Sequence, residues 1–169
     1  LRLLPELKRR ESRGAPWEHL PDPTTNEEKW SRAQIGPAIV LYQVLRDAGV
    51  SEPLQRMRRV ILGSTVPWMK WAIGTISPQD YRAMSPAARF AWLQGKTRGF
   101  FNMELTDLTA GEESASFRVV RCFFPGLCAE AGVPEMAPLF CAVDAMYFGE
   151  VQQGIELTRK ETLAQGGSH

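Results

Sequence analysis

No apolar run in the chain approaches the roughly 20 residues that a membrane-spanning helix needs. The longest candidate, "VILGSTVPWMKWAIG", is interrupted by Ser64, Thr65, Pro67 and Lys70, and no signal-peptide pattern is legible in the residues from Leu1 onward. A charge excess is missing too. Twenty basic residues face 19 acidic ones, so the net charge of +1 exerts no global pull on nucleic acid or anionic membrane. The basic N-terminal "LKRRESR" reads as a solvated end. Cysteine is scarce and odd in number: Cys122, Cys128 and Cys141. That excludes a disulfide scaffold and predicts free thiols in a cytoplasmic protein. No C-x-x-C pair exists, so no zinc finger is encoded. G-x-S-x-G, the P-loop and H-E-x-x-H are absent as well. Only two histidines occur. His19 falls in a proline-broken arm and His169 is the last residue given.

What is present is an ordinary globular composition. The 169 residues are 44% hydrophobic and 23% charged, enough for one domain with a real core. Residues 1–27 carry Pro5, Pro16, Pro21 and Pro23 among many charges. They are expected to form an irregular arm, with a short opening helix at most, ahead of a single α+β domain over 28–169. No internal repeat and no low-complexity segment is present.

From Glu28, Trp30, Ile35, Ile39, Tyr42, Val44 and Leu45 recur at helical spacing, with Pro37 a kink or late start and Gly49 an end signal. A second helical run from Pro53 to Ile73 carries the stripe Leu54, Met57, Val60 and Ile61, and Gly63 and Pro67 are expected to break it. A third starts at Pro86 behind a Ser85 cap and runs to about Gln94. The period then changes to two. "GFFNMELTDLT" and "ASFRVVRCFF" alternate around the turn "AGEES", predicting a hairpin near 100–123. A helical region from Leu127 to about Phe148 follows, interrupted at Gly132 and Pro134. "GIELTRKETLA" alternates again and is expected to form a third strand near 155–163. The resulting expectation is an α+β fold: N-terminal helices packed on a small antiparallel sheet, with a helix inserted between strands.

The chemistry concentrates late in the chain. Met136, Leu139, Phe140, Val143 and Tyr147 form the apolar stripe of a helix. Cys141 and Asp144, at i and i+3, share a face bordering that stripe. A carboxylate there needs hydrogen bonds or a cation. Arg159 is the natural counter-ion for Asp144, or a planar fork for a substrate carboxylate. Cys122, near a strand end, is within reach in a domain this small. Each of these residues also has a plain reading. A free cysteine is commonly a small buried apolar side chain, which is how Cys128 reads, and a lone aspartate is commonly a surface or capping acid. The glycine pair in "LAQGGSH" reads as a turn.

The segments "VVRCFF", "AEAGVPEMAPLFCAVDAMY" and "IELTRKETLAQGG" resemble the L-2-amino-thiazoline-4-carboxylic acid hydrolase family. Its pattern falls on Cys122, Gly132, Pro134, Glu135, Cys141, Asp144, Arg159, Thr162 and Gly166. The resemblance is strong over Val119–Gly167 and looser over "IGPAIVLYQVLRDAG". Cys128 is outside it. The family pattern continues with Cys-Asp-Phe in a closing strand just past the Gly turn, where the residues given end.

The resemblance implies hydrolysis of a non-peptide carbon–nitrogen bond in a small cyclic amidine or thiazoline-type carboxylic acid. Water adds to an amidine-like carbon and the ring opens. The catalytic candidates it points to are Cys141, Asp144 and Cys122. A cysteine attacks, Asp144 moves a proton, and Arg159 holds the substrate carboxylate. Asn102 and Glu104, on the polar side of the first predicted strand, join Arg159 as candidate substrate-binding residues. The partner is a small molecule rather than nucleic acid or membrane. No cofactor and no metal ligands are assigned, although two thiolates and a carboxylate would also suit zinc. Two other functions stay open at this level. One is a ligand-binding domain without turnover, like the vinyl-reductase-type domains of bacterial regulators. The other is a metal or redox module. On the leading reading, Cys141, Asp144, Cys122 and Arg159 should converge on one pocket.

Overall fold

The computed structural model describes residues 3–152 and 154–167. Helix α1 (Leu4–Ser12) opens the chain and packs against α2 (Asn26–Asp47). Between them, Trp17 seats on the bare backbone of Gly36, where a Cβ would stand 3.0 Å from the indole nitrogen. The indole N–H donates to the Arg32 carbonyl at 3.3 Å. Helix α2 is capped by Thr25, whose hydroxyl accepts from the Glu28 N–H at 3.1 Å. It runs unbroken through Pro37. Ile35, Ile39, Tyr42 and Val44 face inward, as the spacing predicts, and Val40 joins them, whereas Trp30, counted in the same stripe, is exposed one turn inside the helix start.

Helix α3 spans Pro53–Ala72 without a break, contrary to the interruption expected at Gly63 and Pro67. The proline ring would press on the carbonyl four residues back, and that residue is Gly63. Both residues lie on the exposed face, where a freed carbonyl meets water. Buried Met57, Ile61, Leu62 and Met69 span the weak point and hold both halves on the core. Helix α4 (Pro78–Ala83) and helix α5 (Pro86–Thr97) repeat one start signal: Ser77 and Ser85 each accept the N–H three residues on, with proline following directly.

Strands β1 (Met103–Ala110) and β2 (Ala115–Cys122) pair antiparallel, from Met103 opposite Cys122 to Ala110 opposite Ala115. Irregularities at Glu104/Leu105 and at Thr106/Thr109 interrupt the ladder, and Asp107 takes a left-handed φ of 54° in the second. At Cys122 the chain turns from strand directly into α6 (Phe123–Glu130). A 3₁₀ turn, Pro134–Met136, then leads into α7 (Ala137–Met146), which ends in a π turn, Tyr147–Val151.

The core lies among α2, α3, α6 and α7 and not on the sheet. Tyr147, Ile35, Ile39, Met57, Met136, Val133 and Cys128 are almost wholly enclosed there. The hairpin packs on α5, receives a hydrogen bond from Tyr81 of α4 at the Gly111 carbonyl in its turn, and leaves Phe117 and Val120 exposed. The expectation of helices laid on a sheet is corrected accordingly: the protein is mainly helical with one two-stranded hairpin. The predicted third strand is also corrected. Residues 155–163 form no ladder. Ile155 and Leu157 are partly buried and alternate with exposed Glu156 and Thr158, so the period-two signal is real. The segment extends along Ala145 and Phe148, however, with a helix and not a strand beside it. Extended chain without a partner backbone cannot make a ladder. With that strand gone no helix lies between strands, and α6 simply follows the hairpin.

Candidate functional site

The site is built where α7, the strand–helix junction and the extended tail meet. Helix α7 is held from outside its own sequence. Gly132 takes a left-handed φ of 70° to close α6, and Pro134 starts the turn that leads to α7. Tyr42 donates to the Glu135 carboxylate at 2.7 Å, and the fully buried Tyr147 donates its hydroxyl to the Gly74 carbonyl. These contacts fix which face of α7 looks at the tail.

On that face Arg159 makes two bonds. One terminal nitrogen donates to Asp144 Oδ2 at 3.1 Å, the other to the Cys141 carbonyl at 3.0 Å. The tail that carries Arg159 is fixed at both ends. At Gly154, with φ of 75°, a Cβ would lie 2.9 Å from Pro78, so only glycine fits that approach. At the far end a 3₁₀ turn, Leu163–Gln165, closes with left-handed Gly166, and the Gly167 N–H returns to the Thr162 carbonyl at 3.0 Å. The expected glycine turn is therefore present through Gly167. His169 lies outside the described residues. The Thr162 hydroxyl interacts with the Cys141 thiol and also donates to Gln165 at 3.0 Å.

Electrostatically the group favours neutral forms. Burial pushes the Cys141 thiol up, and Asp144 adds to this; Arg159 and Thr162 oppose it. Burial also raises Cys122, and the Phe124 backbone N–H at the start of α6 and Asn102 pull it back. Asn102 is buried and points its amide at Cys122 Sγ across 3.9 Å. The Asp144 carboxyl is raised as well: packed protein around it outweighs Arg159. Its side chain keeps 42% of its surface open, and that water moderates the effect. Cys128 is fully enclosed and pushed up to about 12, chiefly by burial, as suits a small apolar side chain. A cleft of about 270 Å³ opens beside the group, lined by Arg159, Lys160, Thr162 and Gln165 among others.

Of the residues singled out in the sequence, Arg159 touches Asp144 and the Cys141 carbonyl, and Asn102 touches Cys122. Among the described residues no hydrogen bond or ion pair joins these two sets, and of the four residues expected around one pocket Arg159 lines the cleft. Glu104 belongs to neither set. It is exposed on β1 opposite Arg121, and among the described residues no hydrogen bond or ion pair links it to the group. Its alternation with Asn102 misleads because Asn102 precedes the strand, which begins at Met103. Thr162 entered only through the family pattern, and Lys160 and Gln165 did not stand out at all; their one signal was closeness in sequence to Arg159. Among the described residues no three His, Cys, Asp or Glu side chains are grouped to hold a metal ion, and no helix is long and apolar enough to cross a membrane.

The protein is a mainly helical domain in which Arg159, at an open cleft, joins the Asp144 carboxylate to the Cys141 carbonyl. The family of L-2-amino-thiazoline-4-carboxylic acid hydrolase matches residues 40–169, and the chain belongs to it. No curated protein and no solved structure matches the chain.

Proposed function

We propose that this protein hydrolyses a carbon–nitrogen bond in a small cyclic amidine or thiazoline-type carboxylic acid. The observation that carries the reading is Arg159, bound at once to the Asp144 carboxylate and the Cys141 carbonyl. It fixes an acid, and the backbone of the residue that carries a thiol, at the cleft edge. A guanidinium has five N–H donors, so after these two bonds it retains donors for a substrate carboxylate, with Lys160 on the same cleft wall.

The raised thiols argue for a particular order of events. A resting thiolate is disfavoured at Cys141, so its proton leaves as the sulfur attacks. Sulfur bonds to the amidine carbon while Asp144 takes the thiol proton and passes it to the ring nitrogen. The carbon–nitrogen bond then breaks and frees an amine. Water attacks the same carbon in the second half, its proton returns through Asp144 to sulfur, and Cys141 leaves. Asn102 orients Cys122 on the opposite side of the group, where its thiol hydrogen-bonds the entering water.

The test is incubation of intact protein with cyclic amidines and thiazolines bearing a carboxylate, followed by mass spectrometry of both small molecules and protein. Ring opening with a transient adduct on Cys141, absent from Cys141→Ser, supports the reading. Saturable binding without any ring opening across the panel would replace it with a ligand-binding domain.

A further inference from the structure

The outward face of α3 has no role in the site. Val60, Trp68 and Trp71 expose 47%, 51% and 83% of their surface. Val60, Ser64, Pro67 and Trp71 follow one another at four- and three-residue steps, so they form a single stripe along the helix. The same 20-residue helix carries Arg56, Arg58, Arg59 and Lys70 and no acidic residue. Among the described residues no ion pair engages Arg58, Arg59 or Lys70, whereas Arg56 is bonded to Ser51. The near-zero total charge of the chain conceals this local excess.

We propose that the outer face of α3 docks on an anionic phospholipid surface, lying in the interface plane without crossing it. Three features select that occupant. Indole rings are amphipathic and favour the headgroup level of a bilayer. Arg59 and Lys70 flank the stripe about a quarter of a turn away, and their long stems reach phosphates from there. A second copy of the chain is the wrong occupant, because a two-fold contact through this helix would set cations against cations with no acid on the helix to offset them.

Co-sedimentation with vesicles tests this on the full chain. Equimolar phosphatidylcholine and phosphatidylglycerol vesicles should retain the protein at low salt and release it at high salt, and pure phosphatidylcholine should retain little. Replacing Arg59 and Lys70 together by Gln should weaken partitioning about twenty-five-fold, from roughly fivefold per cation. Trp68→Ala with Trp71→Ala should weaken it as well, with helical circular dichroism unchanged because both rings are largely exposed. Equal retention on neutral vesicles, no retention on anionic ones, or loss of a dimer in sedimentation velocity when Trp71 is removed would each overturn the proposal.

Discussion

Two carboxylates in this protein are held by arginine, and they respond in opposite ways. Glu6 on α1 receives Arg9 through two bonds of 2.8 and 2.6 Å and Arg10 through one of 2.7 Å. Its carboxyl is lowered to about 2, the Arg9 bond contributing most. Asp144 receives a single bond from Arg159 at 3.1 Å, and its carboxyl is raised. The chemical partners are the same; the ratio of donors to desolvation differs. Glu6 is ringed by guanidinium and loses little water, so the charged form prevails. Asp144 is crowded by α7 and the tail, and one arginine does not offset that. An ion pair of the first kind fastens a helix surface. One of the second kind leaves a carboxylate readier to carry a proton.

The largest effect expected from breaking this contrast is at the thiol beside Asp144. Cys141→Ser should abolish ring opening to within detection while leaving the thermal transition nearly unchanged, measured by turnover and by calorimetry. If Cys141→Ser turns over normally, the sulfur is packing and nothing more. Asp144→Asn should lower kcat by about 10² to 10⁴-fold. It should also remove the acid limb of the pH–rate profile. In the native protein that limb should lie above the range of an ordinary carboxylate, since Asp144 must ionise to accept the thiol proton and its pKa is raised. Next in size is stability in the core. Ile39→Ala should cost about 2 to 5 kcal/mol in denaturant unfolding, because Ile39 is fully enclosed and α2 cannot collapse onto the void.

The pH dependence of stability gives a finer measure. The folded pKa of Asp144 is higher than its unfolded one. Its contribution is therefore full below the unfolded value of 3.8 and is lost as pH rises through the raised folded value. Asp144→Asn should accordingly leave the melting temperature unchanged or slightly higher at neutral pH. Glu6 has the opposite sign: its contribution is present above 4.5 and lost as pH falls toward about 2. Glu6→Gln should give the smallest change of the series, a slight loss at neutral pH that disappears in acid. Equal signs for the two variants in pH-scanned melting curves would refute the contrast.

Much of this was readable before any coordinates. The stripes of α2 and α7, the Ser85–Pro86 start of α5 and the hairpin all follow from periods and caps. The pairing of Asp144 with Arg159 was legible too, since a carboxylate at the edge of an apolar stripe requires a cation. What failed depended on partners distant in sequence. Residues 155–163 have a strand period but lie against a helix, and period alone does not say what stands alongside. Gly63 and Pro67 read as breakers because local propensity cannot see Met57 and Met69 anchoring both sides. Glu104 was misplaced because the alternation was counted from Asn102, which lies before the strand begins. Helix α4 was overlooked although Ser77–Pro78 repeats the signal of Ser85–Pro86; six residues are too short to show a stripe.

Arg159 divides its grip between an ionisable oxygen and a backbone carbonyl. A carbonyl holds no proton to gain or lose across the physiological range, so that half of the grip is indifferent to acidity. Were Asp144 to take up a proton, as in the proposed reaction, the charge attraction would fade while the tail stayed tethered to α7. The charge at the centre could then change without disassembling that wall of the cleft.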